Sequence, residues 1–167
     1  MSCTEHKDKA ESFTLTIGVI TVSDTRTEET DVNGQFLKNE IAKSGHSLGL
    51  YKIIKDEAVA IDEVLAELDA AGCNVGIFNG GTGISRRDTT YDVLSRRLDK
   101  TLDGFGEIFR MLSYQQVGSA AMLSRAVAGV FQQCIIFSTP GSVKAVQLAW
   151  EKLIAPEMKH LVFEITR

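Results

Sequence analysis

The segment Asn79-Gly80-Gly81-Thr82-Gly83-Ile84-Ser85-Arg86-Arg87-Asp88 joins a short apolar run, Asn74–Phe78, to a stretch of helical pattern that opens near Thr90. Glycines at 80, 81 and 83 let a backbone come close to a ligand and adopt φ > 0. Consecutive free N–H groups in such a turn form a concavity for anions, and a helix starting just beyond aims its positive dipole end at the same place. The chemistry implied is the holding of a phosphorylated ligand on Gly80, Gly81, Thr82 and Gly83. The pattern is neither GxxxxGK[ST] nor GxGxxG, which excludes a P-loop and a dinucleotide fingerprint. Taken alone, a glycine turn after a strand is equally a plain connection.

The neighbouring charges change the balance. Asp88 by itself reads as a helix cap and Asp56 as a solvated loop residue. Together they are two carboxylates beside a phosphate loop, and Mg²⁺ is held by one or two carboxylates plus substrate phosphates. Arg86 and Arg87 suit charge neutralisation on a transferring phosphoryl group, or equally an exposed ion pair. A second turn, Thr139-Pro140-Gly141-Ser142, puts a glycine, a hydroxyl and nearby Lys144 at another helix start, a second candidate anion site.

These residues need a scaffold that brings them to one edge. Thr14–Ser23 reads as a buried β-branched strand ending at Ser23-Asp24, Ser47–Lys55 as a second strand, and Asn74–Phe78 as a third. Between them, Asn33–Ser44 and the Ile61, Val64, Leu65, Leu68 set carry helical spacing. The β-α-β-α-β order predicts a parallel sheet with helices on its faces. In such sheets ligands bind beyond the carboxyl ends of the strands, so Ser23-Asp24, Asp56, the 79–88 segment and the 138–142 turn are expected at one rim. Further helices are predicted over Thr90–Leu98, Gly106–Tyr114 and Ser119–Arg125. Val127–Phe131 and Cys134–Ser138 are expected to form a hairpin, making one strand antiparallel to the rest. Val143–Phe163 is helical in pattern, with Pro156 breaking or starting a helix within it.

The 167 residues suit a single α/β domain over 13–167, following a polar, flexible N-terminal tail over 1–12. A net charge of −4 argues against binding that depends on neutralising a nucleic-acid backbone. No run is long and apolar enough for a membrane span, and residues 1–12 lack a signal-peptide core. Cys3, Cys73 and Cys134 form neither a CxxC pair nor a disulfide framework, and His6, His46 and His160 lack metal-ligand spacing. A cytoplasmic protein without a transition-metal site is the expectation.

The set VSDTR (22–26), IIKDE (53–57), NGGTGISRRDTT (79–90), GFGEIFRMLS (104–113), AMLSRAVAGV (121–130) and TPGSVKA (139–145) resembles the MoaB/Mog family of molybdenum-cofactor biosynthesis proteins, and the MoaB branch in particular. The resemblance runs from about Ile17 onward. It implies a three-layer α/β/α molybdopterin-binding fold with a mostly parallel sheet. It further implies Mg²⁺-dependent transfer of AMP from ATP to the terminal phosphate of molybdopterin, releasing pyrophosphate. On that resemblance Asp88 is the more critical of the Asp56–Asp88 pair, Ser23 and Asp24 lie by the nucleotide, Ser142 and Lys144 contact the pterin, and Glu107 borders the site. A homotrimer or homohexamer is implied, as are contacts with other proteins of the pathway. Phe105, Ile108, Phe109 and Met111 are then candidates for interface or core.

Two departures stand out. Val143 replaces a family Pro or Thr, and Tyr91 replaces the proline of the family's RDVTPEA stretch while Asp88 is kept. Two other classes remain open: a non-catalytic molybdopterin-binding or scaffold protein, and a nucleotide hydrolase on the same fold.

Overall fold

Strand β1, Thr16–Val22, is buried along all but its first residue and lies in the interior of a six-stranded sheet. The computed structural model describes residues 13–167, so the tail expected over 1–12 lies outside the described residues. Around β1 the chain adds helix α1 (Val32–Lys43), β2 (Ser47–Ile54), α2 (Ala58–Ala70), β3 (Val75–Asn79) and α3 (Thr90–Arg97). A two-residue strand β4 (Lys100–Thr101) and helix α4 (Asp103–Val117) follow, then a 3₁₀ run over Gly118–Leu123. Strands β5 (Val127–Phe131) and β6 (Cys134–Thr139) lead to α5 (Val143–Ala149), a π-helical segment Trp150–Ile154, and α6 (Ala155–Thr166).

The sheet order is β2-β1-β3-β6-β5-β4. β2, β1, β3 and β6 run parallel, while β5 pairs antiparallel with both β6 and β4. The single reversed strand is the one the hairpin pattern predicts. Its turn, Gln132-Gln133, is made by Gln132 at φ 53, with Gln132 N donating to Asp99 Oδ2 at 2.8 Å. A positive φ at the first central position alone is the type II′ arrangement, which ordinarily takes glycine there.

Alternation along the strands builds the two outer layers. Ile17, Val19, Val75, Ile77, Ile135 and Phe137 share a core with Leu37 and Ile41 of α1, Phe105 and Phe109 of α4, and Met158 and Val162 of α6. Ile20, Val22, Phe78 and Ile136 point to the other face and pack on Ile61, Val64, Leu65 and Leu68 of α2 and Leu94 of α3. The result is the three-layer α/β/α arrangement.

Some boundaries differ from expectation for identifiable reasons. The helix expected over Gly106–Tyr114 begins three residues earlier and ends at Val117, with Gly118 at φ 63 terminating it. The helix expected over Ser119–Arg125 is only a 3₁₀ run, and Ser124 and Arg125 leave it for β5. β4 has no sequence signal, since two residues are too short for a period-2 pattern. In the C-terminal stretch Pro156 lies in the first turn of α6, and the preceding helical turn widens to accommodate it, so that Ala155 N bonds the carbonyl of Trp150.

Candidate active site

The four parallel strands end level with one another. Thr21 is in register with Asn79, Asn79 with Thr139, and Val22 with Ile54. The turns that follow therefore leave from one edge, and Ser23-Asp24, Asp56, Gly80–Gly83 and Gly141-Ser142 meet there. A buried amide chain ties the edge together from beneath. Asn79 Nδ2 donates to Thr21 Oγ1 at 3.0 Å, and its Oδ1 accepts from Asn33 Nδ2 at 3.1 Å. Asn33 Nδ2 also reaches the carbonyl of Gly141 at 2.8 Å. Neither asparagine was expected to hold the rim. The available signal was Asn79, a polar residue closing an otherwise apolar strand.

The loop after β3 requires its glycines. Gly80 sits at φ 103, and a Cβ there would lie 2.3 Å from the carbonyl oxygen of Val22. Gly81 sits at φ 66, and a Cβ there would fall 2.2 Å from Thr90 Oγ1 and 2.7 Å from Asp56 Oδ2. Three successive carbonyls of the loop are engaged. Gly81 O accepts from Tyr91 N at 3.5 Å, Thr82 O from Arg125 Nε at 3.0 Å, and Gly83 O from Arg125 at 2.6 Å. The amides of Gly81 and Thr82 have no hydrogen-bond acceptor among the described residues. Donors free and acceptors tied down is the polarity an anion needs.

Both carboxylates lie against this loop, in different ways. Asp56 Oδ1 accepts from Thr89 N (3.1 Å), Thr89 Oγ1 (2.8 Å), Thr90 N (3.0 Å) and Thr90 Oγ1 (2.9 Å). It thus caps α3 from across the rim. The cap expected from the Asp88-Thr89-Thr90 cluster is not local, since Thr89 at the N-cap position makes no side-chain bond to its own helix. Asp56 Oδ2 accepts no hydrogen bond from the described residues and faces Gly81. Asp88 accepts from Ser85 N and Ser85 Oγ through Oδ2 and borders Gly83.

The Ser85 hydroxyl is the main reason the Asp88 carboxyl is held below its ordinary range; burial is the next largest effect and opposes it, while the Gly83 and Ser85 amides and Arg125 each add a smaller lowering. A depressed folded-state pKa means that the stability it confers is present above the ordinary carboxylate pKa and is lost as pH falls through the folded value. Ser85→Ala is therefore expected to move the Asp88 titration upward, toward that ordinary value. Carbon-detected NMR of the Asp88 carboxyl checks this, and an unmoved titration would contradict the assignment.

The other expected residues divide. Asp24 forms an ion pair with Arg87, joining the turn after β1 to the 79–88 loop. Arg86 is exposed on the same loop. Ser23 Oγ accepts from Thr25 N and Arg26 N, shaping its own turn at the rim. Ser142 caps α5 by accepting from Ala145 N at 3.2 Å. Lys144, expected at the pterin, lines a depression with Gln116, Gln147, Leu148, Glu151 and Lys152, none of them a residue of the rim turns. Glu107 lines a pocket of about 240 Å³ with Tyr91, Asp103, Arg110 and Ala126, placing it beside the start of α3. Phe105 and Phe109 are core, whereas Ile108 and Met111 are exposed.

No cluster of three or more His, Cys, Asp or Glu side chains able to hold a metal ion occurs among the described residues. A divalent cation here would take Asp56 Oδ2 and Asp88 as its protein oxygens and the remainder from a bound phosphate or water, as Mg²⁺ sites commonly do.

The sequence family described as "Probable molybdopterin binding domain" matches residues 18–160, which include every rim residue named above. The chain belongs to this family. Over its full length it is 48% identical to molybdenum cofactor biosynthesis protein B of Bacillus subtilis and 47% identical to that of Bacillus cereus, covering 99% of each. Among solved structures it is similar to a molybdenum cofactor biosynthesis protein B at TM-score 0.89 and 44% identity, covering 93% of this chain and 98% of the other. It is also similar to the tungsten cofactor synthesizing protein MoaB of Pyrococcus furiosus at TM-score 0.84 and 38% identity, covering 92% and 98%. The family fold is the mixed six-stranded sheet described above. No helix among the described residues is long and apolar enough to cross a membrane.

Proposed function

We propose that this protein acts in molybdenum-cofactor biosynthesis by transferring AMP from ATP to the terminal phosphate of molybdopterin. A pterin phosphate oxygen attacks the α-phosphorus, the bond from that phosphorus to the bridging oxygen of the β-phosphate breaks, and pyrophosphate leaves. The nucleophile is already ionised at neutral pH, so no general base is called for. Family membership supports the pathway. One observation carries the chemistry: free amides at Gly81 and Thr82 lie on a loop bordered by two carboxylates, Asp56 beside Gly81 and Asp88 beside Gly83. Positioning and charge neutralisation are then the catalytic means.

Mg²⁺ held by Asp56 and Asp88 together with nucleotide phosphates would supply neutralisation at the departing pyrophosphate. Arg86 and Arg87 stand on the loop to add positive charge. Ser23 and Asp24 border the nucleotide, with Ser142, Lys144 and Glu107 toward the pterin.

ATP labelled at its α-phosphate should pass the label to the pterin, detected by mass spectrometry of the product. Label remaining in ATP or appearing as free AMP would remove the transferase. Binding of molybdopterin without transfer would support a non-catalytic role, which the capping bonds to Asp56 Oδ1 would serve equally well.

We expect a homotrimer or homohexamer. Ile108, Met111, Tyr114 and Val117 form an apolar stripe that winds along the exposed surface of α4, with Met122 and Leu123 beyond, and all are about half exposed or more. Such a stripe is larger than scattered surface apolar residues account for. Light scattering at micromolar concentration should give three or six chains, and a monomer would contradict this.

A further inference from the structure

We propose that Arg125 is the positioning residue of the phosphate loop, holding the Thr82 and Gly83 carbonyls away from the ligand and locking the loop in the form that leaves the Gly81 and Thr82 amides free. The proposal rests on the reading of the loop as a phosphate site. Arg125 follows the 3₁₀ run and precedes β5, more than forty residues beyond the loop in sequence. Its Nε donates to Thr82 O at 3.0 Å and a terminal nitrogen to Gly83 O at 2.6 Å. The same guanidinium forms a fork on Asp92 of α3, at 3.0 and 3.1 Å, and stacks 4.7 Å from the centre of the Tyr91 ring. One planar group thus fixes two successive loop carbonyls and the first turn of the following helix.

A peptide plane whose oxygen is held on one side directs its N–H to the other. Fixing Thr82 O sets the Gly83 amide, which is directed at the Asp88 carboxyl and so seats that carboxylate against the loop, and fixing Gly83 O sets the next peptide plane. With Gly81 O bonded to Tyr91 N, the Thr82 amide is set in the same way. Glycine-rich loops are otherwise free to rotate these planes. A lysine supplies one point charge and cannot hold both carbonyls and the carboxylate in one plane. Tyr91, standing where the family pattern has proline, gives the guanidinium its stacking face.

The test uses the full chain as Arg125→Ala and Arg125→Lys, with two local readouts. Hydrogen exchange without ligand should show faster exchange at Ser85 and Tyr91, whose amides bond Asp88 and the Gly81 carbonyl, in both variants, with α1 and β1 protection unchanged. Affinity for a fluorescent ATP analogue should fall about tenfold or more in both, because misplacing positioned groups by about an ångström carries penalties of that order or greater. Millimolar guanidinium should restore part of the affinity of Arg125→Ala and none of Arg125→Lys, a response that general loss of stability would not give. Nucleotide affinity within about twofold of wild type in folded variants would overturn the proposal, as would unchanged exchange at Ser85 and Tyr91. If the wild type binds no nucleotide, the phosphate-site reading falls, and exchange at Ser85 and Tyr91 alone decides whether Arg125 orders the loop.

Discussion

Asp88→Asn is expected to leave the protein folded and to reduce adenylyl transfer by about 100-fold, the scale on which single charge-stabilising groups act in preorganised sites. Asparagine is isosteric and its amide oxygen can still accept from Ser85, so the loop contact through Oδ2 is retained. What is lost is the negative charge beside Gly83, and with it one of two candidate oxygen ligands for a divalent ion. The melting temperature should move by no more than about 2 °C, because the carboxylate is partly exposed and carries little of the packing. Steady-state transfer and calorimetry on the same sample check both halves. Full activity in the variant would show that Asp88 is a loop-shaping residue only.

Asp56 is expected to behave differently, because its two oxygens have separate duties. Asp56→Ala removes the acceptor for four donors at the start of α3. Unpaired donors and a lost cap together are expected to cost about 2 kcal/mol, since such losses run at roughly 1–3 kcal/mol each when buried and less when partly solvated. For a chain of this length that lowers the melting temperature by about 4–8 °C. Asp56→Asn keeps Oδ1 as an acceptor and converts the unpartnered Oδ2 into an amide. It should retain most of the stability while losing transfer by at least tenfold, on the order of one missing metal ligand or charge. If Asp56→Asn is as active as wild type, the residue is a helix cap and the metal role belongs to Asp88 and the substrate.

The contrast between these residues also marks what a sequence can convey. The parallel strands were legible because β1 and β3 are nearly unbroken β-branched and aliphatic runs, and the polar ends of those runs located the rim. The glycine loop was legible because few backbones need three glycines in four residues. The duty of Asp56 was not, since its partners lie 33 and 34 residues away and a cap supplied from another loop leaves no local pattern. Arg125 escaped for the same reason, its contacts with the loop spanning 42 and 43 residues.

Helix α4 shows a subtler limit. Phe105, Ile108, Phe109 and Met111 are all apolar, and helical spacing alone cannot say which side meets the sheet. The fold settles it by seating Phe105 against Phe137, with ring centres 5.2 Å apart, while leaving Ile108 and Met111 outside. Lys144 stands two residues beyond Ser142 and lines the depression beside α5, a placement that nearness in sequence to the Gly141-Ser142 turn does not specify.

The most direct test of the proposed transfer is pyrophosphate release from ATP by the wild-type protein, measured anaerobically with and without molybdopterin and with and without Mg²⁺. Release that requires both, matched by adenylylated molybdopterin, is the expected result. Molybdopterin that binds while ATP remains intact would contradict it.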